Sequence, residues 1–572
     1  MKRTDYCGNI DEKYLGEEVI VKGWVHKLRD IGNLIFMDLR DREGIVQVVF
    51  ENDFKDFEQV KKIRTEFVVE VKGIVRERES INPELKTGRV ELIANYLKVL
   101  NTAEELPFFP SEKKEISEEV RLRYRYIDLR REKIKNNIAL RHKTVLTIRN
   151  FLNDNGFYEI ETPVLIKSTP EGARDFLVPS RLHPGNFYAL PQSPQLYKQI
   201  LMISGFDRYF QIARCFRDED LRADRQPEFS QIDIEMSFAE EEDVISLSER
   251  MLEAAFKVIG VKLTLPFKRL SYDEAMKVYA SDKPDLRIKE KIEDFTELFE
   301  NSSMNFLRDI ISNGGVVRGI RFEEASSFSR KIIDNTNDEI RMLGGKGIFW
   351  IRKLNGEIKS SLKFTEGELR QFEQKSGLEE NTIYLLIAGL PEEIYLQLDF
   401  LRRKFGKKEK GFEFVWITDF PLFEMDEEGS ITSSHHPFTS PQEKFLNILE
   451  KEPLKVKSRA YDIVLNGYEI GGGSIRIHSF EVQQRIFKLL GISEEEIEKK
   501  FGFFIKALKS GTPPHGGIAF GLDRLIMLMA GENSIREVIP FPKTTSGMDL
   551  MSETPSPVSD EQLKELKIKI VE

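Results

Sequence analysis

The chain has 572 residues, which is too long for one hydrophobic core and predicts roughly three or four domains. Its composition, 40% apolar and 32% charged with a net charge of −10, is typical of a globular protein and argues against binding nucleic acid through a broad basic surface. The two cysteines, Cys7 and Cys215, lack metal-ligand spacing, which argues against a zinc site and a disulfide scaffold and favours a reducing compartment.

The first residues, MKRTDYCGNIDEKYLGEEV, contain no apolar stretch of the kind found in signal peptides. No run approaches the roughly 20 apolar residues that a membrane-spanning helix needs. We therefore expect a cytoplasmic protein with no membrane partner.

Residues 18 to 100 contain five short runs rich in β-branched residues, separated by turn signals such as RDREG and NPELKTG. This pattern predicts a small closed barrel, and the OB-fold is the common five-stranded one, so we assign residues 1–104 to it. A hairpin of the second and third strands would bring Phe36 near Gln47 with Arg29 beside them, which suits an unstacked nucleic-acid base. The alternative is that Phe36 belongs to the barrel core.

Residues 105–139 are predicted to form a hinge. They include a polar stretch with prolines and the start of a basic helical run, residues 121–143, in which nine Lys and Arg stand against two acids. That run is either a solvated helix face or a local basic stripe.

Residues 140–287 alternate helix and strand, with helices predicted at 140–156 and 193–205 and strands at 157–163, 208–216 and 229–238. In the last strand, Gln231, Asp233 and Glu235 alternate with apolar residues. An acidic and amide-rich strand face is unusual unless something polar lies on it.

Residues 288–413 are rich in Lys and Glu and contain few candidate site residues, and they are predicted to form an inserted domain of mixed helices and strands. The strand-and-turn pattern of residues 140–287 resumes over residues 414–556, which are therefore predicted to complete the same domain. The tail, residues 557–572, is predicted to be a peripheral extension.

The sequence YDIVLNGYEIGGGSIRI predicts a hairpin, because Asn466-Gly467 is a strong two-residue turn signal. The turn pairs Val464 with Glu469, so Asp462 and Glu469 become neighbours on one surface. Two close carboxylates repel each other unless a cation lies between them, and hard oxygen ligands beside phosphate favour Mg²⁺. The alternative is an exposed hairpin with two unrelated acids.

Three glycines, residues 471 to 473, follow in the second strand of that hairpin. Glycines weaken a strand unless a bulge or a close ligand requires them. By strict alternation Arg476 would lie on the face opposite Glu469. A bulge among the glycines would return it to the same face.

Neither GxxxxGK[ST] nor a strand–GxGxxG–helix unit occurs, so a nucleotide would need another kind of site. Arg217 and Phe229 flank a charged loop between two predicted strands, and a rigid guanidinium with a flat ring suits a triphosphate and a base. Arg524 lies in the first turn of an apolar helix, which is unfavourable for the helix dipole and indicates that it reaches towards an anion.

Three stretches in order resemble the motifs of class II aminoacyl-tRNA synthetases: the helix leading to TPVL, then FRDEDLRADRQPEF, then GGIAFGLDRLIML. Within the class, TPEGARDF, SPQLYKQ, SDKPDLR, HHPFTSP and GYEIGGGSIR resemble bacterial-type aspartyl-tRNA synthetases. The resemblance implies an α+β multidomain protein: an OB-fold anticodon-binding barrel and an antiparallel-sheet catalytic domain that carries an inserted α/β domain of the GAD type. It also implies a homodimer.

The resemblance further implies roles for individual residues. Arg217 and Arg524 would be the catalytic groups, Asp462 and Glu469 would hold Mg²⁺, and Arg29, Phe36 and Gln47 would contact the anticodon. The residues implied to bind ATP are Arg217, Asp218, Glu219, Gln226, Phe229, Glu469, Gly521, Leu522, Asp523 and Arg524. The residues implied to bind aspartate are Glu171, Gln195, Lys198, Arg217, Asp233, His435 and Arg476.

Physical chemistry supports an anionic amino acid. Gln195 and Lys198 are three residues apart on one helix and face the same way, and burial of a carboxylate requires cations. Lys198, Arg476 and His435 suit that carboxylate, although the neighbouring His436 could take the place of His435.

The implied reaction joins aspartate and ATP to aspartyl-adenylate and then transfers aspartate to the 3′ end of tRNA-Asp. Positioning and charge neutralisation carry such a reaction without a general base. The alternatives are an asparaginyl-tRNA synthetase and a tRNA-independent enzyme that makes asparagine from aspartyl-adenylate. Whether tRNA-Asn is also charged depends on barrel contacts near Ile31 and Asn82 and stays open.

Overall fold

The computed structural model describes residues 2–112, 114–169 and 172–571. The chain divides into two compact units, Met1–Lys133 and Ile134–Glu572. In the described ranges no helix is long and apolar enough to cross a membrane.

The first unit contains a closed five-stranded barrel in the order β1-β2-β3-β5-β4, in which only β3 and β5 pair in parallel. Alternate residues of each strand point inward, and Val21, Met37 and Val71 belong to its buried core. The predicted OB-fold is confirmed. Its elements are 3₁₀ turns at Cys7–Asn9 and Glu12–Tyr14, then β1 (Glu18–Asp30), β2 (Leu34–Arg40), β3 (Ile45–Glu51), α1 (Phe57–Val60), β4 (Val68–Glu77) and β5 (Val90–Asn101).

The basic run at 121–143 is divided among three helices, α2 (Glu118–Arg123), α3 (Arg125–Asp128) and α4 (Glu132–Asp154). Arg125 is buried, and its Nη1 donates to Asp128 Oδ2 at 2.6 Å. The run is therefore not one uniformly solvated helix face. Helix α4 begins at Glu132, eight residues before the predicted residue 140, and Ile134 in its first turn is buried.

The second unit begins with α4 and continues with short strands and the long hairpin of β9 and β10. Of the strand predicted at 157–163, only Tyr158–Glu159 pairs in the sheet. The elements are β6 (Tyr158–Glu159), β7 (Leu177–Pro179), β8 (Phe187–Ala189), α5 (Gln195–Ile203), β9 (Arg208–Phe216), β10 (Glu228–Ser237), α6 (Glu241–Lys257), β11 (Lys268–Ser271) and α7 (Tyr272–Tyr279).

The next segment forms its own five-stranded sheet in the order β12-β13-β16-β14-β15, with helices packed against it. Its elements are β12 (Ile292–Asp294), α8 (Thr296–Phe299), α9 (Asn305–Ser312), β13 (Val316–Glu323), a 3₁₀ turn (Ala325–Ser327), α10 (Arg330–Met342), β14 (Phe349–Leu354), β15 (Glu357–Ser360), α11 (Glu366–Ser376), β16 (Thr382–Gly389) and α12 (Pro391–Phe405).

The remaining chain completes the larger sheet. Its elements are β17 (Phe414–Thr418), β18 (Phe423–Met425), β19 (Ile431–Ser433), 3₁₀ turns at Glu443–Phe445 and Pro453–Lys455, β20 (Ala460–Leu465), β21 (Tyr468–Ile475), α13 (Phe480–Leu489), α14 (Glu494–Leu508), β22 (His515–Gly521), α15 (Leu522–Met529), a 3₁₀ turn (Ile535–Glu537) and α16 (Asp560–Leu566).

The larger sheet has eight strands in the order β11-β17-β20-β21-β22-β10-β9-β6, antiparallel except for the outer pairs β11–β17 and β6–β9. One face packs against α6 and α15, where Ile234, Phe520 and Leu525 are fully buried in a single apolar cluster. Strands β11 and β17 are neighbours, so the chain leaves and rejoins the sheet at adjacent positions around the smaller sheet. The opposite face carries the polar residues described next.

Candidate active site

A polar cavity of about 570 Å³ lies over the face of the eight-stranded sheet that is not covered by α6 and α15. Its walls come from α5, the loop between β9 and β10, and strands β10, β21 and β22. The sequence-predicted residues that line it are Gln195, Lys198, Arg217, Glu219, Gln226, Phe229, Asp233, His435, Asp462, Glu469, Arg476, Gly521, Asp523 and Arg524.

Three other predicted residues are not among the lining residues. Asp218 turns towards Arg174, with 3.7 Å between its Oδ2 and Arg174 Nε. Leu522 is buried in the apolar cluster that packs against the sheet. Glu171 lies outside the described residues.

Four buried charges, which we call the charged cluster, occupy one end of the cavity: Lys198, Asp233, Glu235 and Arg476. Lys198 Nζ donates to Asp233 Oδ1 at 2.6 Å and lies 3.4 Å from Glu235 Oε2. Arg476 binds Glu235 with two hydrogen bonds, of 2.9 and 3.1 Å. Glu235 therefore joins the two cations, and the cluster is balanced at two positive and two negative charges.

The two acids of the charged cluster respond differently to burial. Burial acts to raise the pKa of Glu235, but Arg476 and Lys198 outweigh it and hold that pKa below its usual value. Burial raises the pKa of Asp233, against the opposing charge of Lys198. Asp233 Oδ2 and Gln195 Nε2 are buried and find no hydrogen-bond partner in the described parts of the chain. Such atoms are costly to bury unless a ligand satisfies them.

Few donors of the two cations remain free for a ligand. Arg476 Nη1 donates to His436 Nε2 at 2.9 Å and to Ser474 Oγ at 2.7 Å, and Nε and Nη2 each donate to Glu235. Of the five N–H groups of Arg476, one is left, on Nη2, when partners are counted over the described residues. Lys198, with three N–H groups and two acidic partners, likewise has one left.

The two neighbouring histidines face different parts of the cavity. His436 contacts Arg476, and burial together with that positive charge holds the pKa of His436 well below its usual value. His435 Nε2 instead lies 3.8 Å from Asp462 Oδ2. Burial acts to lower the pKa of His435, but Asp462 outweighs it and raises it. The sequence placed His435 beside Arg476 with His436 as the alternative, and the structure places His436 there.

A β-bulge sets the position of Arg476. Val464 pairs with Glu469 as predicted, but Ile463 pairs with Gly471, so Ile470 is the extra residue. The bulge lies one residue before the glycines rather than among them. Because of this extra residue, Arg476 lies on the same face of the sheet as Glu469.

Asp462 and Glu469 lie together on this face beside Gly472. A Cβ on Gly472 would stand 2.6 Å from Asp462 Oδ1 and 3.8 Å from Glu469 Oε1, so the glycine leaves room for both carboxylates. Burial and the charge of Asp462 raise the pKa of Glu469, and Asp462 Oδ1 has no hydrogen-bond partner among the residues with described positions. These features fit a cation held by two carboxylates. No group of three or more His, Cys, Asp or Glu side chains suited to a metal was found in the described ranges.

The other end of the cavity, which we call the arginine end, is formed by Arg217, Phe229 and Arg524. Arg217 follows β9 directly and Phe229 lies on β10, and Arg217 Cζ is 5.1 Å from the centre of the Phe229 ring. Arg524 Nη2 donates to Asp224 Oδ2 at 3.0 Å, and its Nη1 donates to the backbone oxygen of Glu469. The Nε atoms of both arginines are buried and unpartnered within the described residues, which indicates an anionic ligand.

Other predicted residues near the arginine end are engaged with protein groups. Glu219 Oε2 lies 3.3 Å from Arg225 Nη1. The Gln226 side chain forms two hydrogen bonds with the backbone of Lys543. The Asp523 carboxylate accepts from Arg141 and from the Ser230 backbone N–H. These contacts hold the wall of the cavity in place.

The sequence analysis did not assign a role to Glu235, although it identified the polar strand face on which Glu235 lies. The residue that could have indicated its position is a glycine on the neighbouring strand β22. A Cβ on Gly517 would stand 2.1 Å from Glu235 Oε2, so the Glu235 carboxylate requires glycine there. Asp224, which binds Arg524, was missed as well. Its position in a loop of alternating charge gives no sequence signal.

In the barrel, the three predicted nucleic-acid-binding residues lie together on the outer face. Arg29 pairs with Phe36 across β1 and β2, with Arg29 Cζ 5.6 Å from the ring centre. Gln47 Oε1 accepts from Arg29 at 3.1 Å and from Arg78 at 2.9 Å. Phe36 is half-buried, whereas its neighbours Ile35 and Met37 belong to the core, so the alternative of a core Phe36 is wrong.

Comparison with known families agrees with this architecture. The profile described as "tRNA synthetases class II (D, K and N)" matches residues 117–545, and that described as "OB-fold nucleic acid binding domain" matches residues 19–100. The chain belongs to the class II tRNA synthetases.

Curated relatives of this synthetase match it over its whole length. "Aspartate--tRNA(Asp/Asn) ligase" of Caldanaerobacter subterraneus subsp. tengcongensis is 53% identical, covering 100% of this chain and 98% of the relative. Proteins of the same description from Thermodesulfovibrio yellowstonii and Aquifex aeolicus are 52% and 51% identical, covering 100% of this chain and 100% and 99% of those relatives.

Solved structures similar to the synthetase are more distant in sequence. Asparaginyl-tRNA synthetase from Pyrococcus horikoshii, complexed with asparaginyl-adenylate, superposes with a TM-score of 0.61 at 19% identity over 95% of this chain and 98% of that one. Aspartyl tRNA synthetase from Entamoeba histolytica gives 0.58 at 20% identity over 95% and 91%. These likenesses confirm the predicted fold class.

Proposed function

We propose that this synthetase is an aspartate–tRNA ligase: it activates L-aspartate with ATP to aspartyl-adenylate and transfers the aspartyl group to the 3′ end of tRNA. The descriptions of the full-length relatives at about half identity support this assignment. Within the molecule, the observation that carries it is the charged cluster, in which two buried cations share one carboxylate and each keep one donor.

The charged cluster favours aspartate over asparagine. The side-chain carboxylate of aspartate accepts the remaining N–H of Lys198 and that of Arg476, while the α-ammonium meets the free Oδ2 of Asp233. An asparagine side chain would turn N–H donors towards at least one of these cations, and a buried donor facing a cation is unsatisfied. We therefore favour aspartate over the asparaginyl alternative.

The arginine end is proposed to bind ATP. Arg217 binds the α-phosphate, Phe229 stacks on the adenine, and Arg524 binds the far phosphates. The unpartnered Nε atoms of both arginines support this arrangement. Attack of the aspartate α-carboxylate on the α-phosphorus expels pyrophosphate, and positioning and charge neutralisation promote it without a general base.

Asp462 and Glu469 are proposed to hold the Mg²⁺ that accompanies ATP. Mg²⁺ bound there would neutralise charge on the phosphates. The Gly472 backbone leaves the space in which both carboxylates face the cavity, and Arg524 fixes the backbone of Glu469 from below.

The barrel is proposed to read the anticodon through Arg29, Phe36 and Gln47, and both tRNA-Asp and tRNA-Asn are proposed acceptors, as in the descriptions of the relatives. We further propose a homodimer that works in the cytoplasm. Exposed apolar side chains that follow α4, at Tyr158, Val164 and Leu165, support a subunit interface there.

Aspartate-dependent exchange of pyrophosphate into ATP tests the activation step. We expect exchange with L-aspartate and none above background with L-asparagine, and loss of the aspartate response in Lys198→Leu. Arg269→Met, which removes a surface ion pair with Glu242, serves as the matched control and should behave as the wild type. Exchange supported equally by asparagine would reject the proposal. Charging of purified tRNA-Asp and tRNA-Asn transcripts side by side tests the acceptor.

A further inference from the structure

The segment Ser281–Arg287, SDKPDLR, lies between α7 and β12 and has no part in the reaction described above. It nevertheless reaches the cavity, because Asp282 lines it together with Asp462 and Glu469. Asp285 is buried and holds Arg287 with hydrogen bonds of 2.9 and 2.8 Å. The segment is thus a rigid wall beside the carboxylate pair.

Helix α12, the last helix of the inserted segment, is hydrogen-bonded to this segment and to the residues after it through Arg402. Its guanidinium is fully buried and donates to the backbone oxygens of Asp285 at 2.7 Å and Glu290 at 2.9 Å, and also to that of Ile288. Its Cζ lies 4.8 Å from the ring centre of Tyr279. Arg402 therefore ties the end of α12 to the chain that leads into the inserted segment.

The next residue, Arg403, reaches the hairpin of β20 and β21. Its Nη2 donates to the backbone oxygen of Lys283 at 3.3 Å, and its Nε donates to Asp399 Oδ2 at 2.7 Å. A Cβ on Gly467 would stand 3.2 Å from Arg403 Nη1 and 3.1 Å from Asp285 Cβ. The hairpin turn thus packs directly against Arg403 and Asp285.

The other side of the same turn is held by the chain that returns from the inserted segment. Asn466 Nδ2 donates to the Gly411 backbone oxygen at 3.1 Å, and Asn466 Oδ1 accepts from the Glu413 backbone N–H at 2.9 Å. Both flanks of the inserted segment therefore clamp the turn that separates the strands bearing Asp462 and Glu469. A hairpin clamped at its turn has fewer ways to move those carboxylates apart.

We propose that the inserted segment, residues 288–413, positions the hairpin that carries Asp462 and Glu469, and that Arg403 is a positioning residue for Mg-ATP. The inference rests on the proposed function, because it assigns the hairpin to ATP. It gives the insertion a role within the active site, which neither the reaction nor the descriptions of the relatives require.

The test compares Arg403→Met with the wild type and with Arg341→Met, a matched control on α10 whose arginine is largely exposed and pairs only with Asp338 among the residues described. We expect Arg403→Met to raise the KM for ATP and the Mg²⁺ concentration for half-maximal exchange about fivefold, the size of one ordinary hydrogen bond, because the Arg403 side chain is 40% exposed and solvent screens its charge. The KM for aspartate should stay within about twofold, since the charged cluster does not touch the hairpin turn. Arg403→Lys keeps the positive charge and one donor, so its KM for ATP should lie between those of the wild type and Arg403→Met.

Calorimetric titration with Mg-ATP in the absence of aspartate provides a readout that does not depend on turnover. Weaker Mg-ATP binding by Arg403→Met, with Arg341→Met unchanged, supports the inference. Unchanged ATP binding and exchange in Arg403→Met overturns it, as does an equal rise in the KM values for ATP and aspartate. If the wild type shows no aspartate-dependent exchange, the proposed function fails, whereas the ATP titration still decides the role of Arg403.

Discussion

At the charged cluster, Lys198, Asp233, Glu235 and Arg476 are buried and pair their charges with one another; at the arginine end, Arg217 and Arg524 are only half-buried and keep unpartnered Nε atoms. The charges of the first arrangement are paired before a ligand arrives, because buried charges must be paired in the folded protein, and only single donors and one carboxylate oxygen are left for the ligand. The second is completed by the ligand. Selection of the amino acid therefore depends on a rigid pocket, and the nucleotide supplies much of the order at its own end.

The largest effect is expected at the arginine end. Arg217→Ala should lower kcat for exchange about 100- to 1000-fold, since it removes a charged donor from the developing charge in the transition state. The urea midpoint should stay near that of the wild type. Arg214→Ala, three residues earlier on β9 and paired with Glu228, is the control and should retain activity. Similar losses in both variants would contradict the assignment of Arg217.

Substitution in the charged cluster should lower stability as well as activity, whereas at the arginine end only activity should fall. Glu235→Gln leaves Arg476 without its carboxylate, and breaking a buried pair costs about 3 kcal/mol of unfolding free energy. Displacement of both cations should lower kcat/KM for aspartate about 100-fold. Urea denaturation and exchange kinetics measure the two. Glu242→Gln, at an exposed ion pair with Arg269, should change stability by less than about 1 kcal/mol.

The difference in unfolding free energy between the wild type and Glu235→Gln should depend on pH, because the pKa of Glu235 is lowered in the folded protein. A carboxyl with a lowered folded-state pKa contributes its stability above its unfolded pKa, about 4.3, and loses it as the pH falls through the folded value. The stability gap between the wild type and Glu235→Gln should thus be full at pH 6 and shrink below about pH 4. A gap that grew on acidification would show that Glu235 is protonated in the folded protein.

A smaller effect is expected at the carboxylate pair, which lies between the two ends. Gly472→Ala would place a Cβ 2.6 Å from Asp462 Oδ1 and push the carboxylate aside. We expect exchange to need about tenfold more Mg²⁺, as typical for displaced ligands, with little change in the KM for aspartate. Gly367→Ala, where a Cβ meets open space, is the control. An equal change in both KM values would mean that the strand as a whole had shifted.

The smallest effect is expected in the barrel. Phe36→Ala should raise the KM for tRNA about fivefold to tenfold, the value of one lost stacking contact, and leave pyrophosphate exchange unchanged. Ile74→Ala, another exposed apolar residue of the barrel, should leave tRNA charging unaffected. Loss of exchange in Phe36→Ala would instead indicate a folding defect.

Local sequence signals predicted much of the site. The Asn466-Gly467 turn specified the pairing of Val464 with Glu469, because a two-residue turn allows one register. The dipole mismatch at Arg524 predicted a cation that reaches towards an anion, and in the structure Arg524 lines the cavity and donates to Asp224 and to the Glu469 backbone. Helix starts were predicted less well: α4 begins at Glu132, eight residues before the predicted start, in a stretch where polar residues outnumber apolar ones.

By itself, therefore, the sequence determined the barrel and the hairpins, since these follow from alternation and turn signals along short stretches, and its resemblance to a known family supplied most of the charged residues that it assigned to the cavity. Only the tertiary structure decided that His436 rather than His435 meets Arg476, that Glu235 joins the two cations, and that Arg403 reaches the turn at Gly467. Each of these depends on side chains from strands and helices far apart in the chain. Their contacts are set by packing and by the pairing of buried charge, which no local pattern encodes.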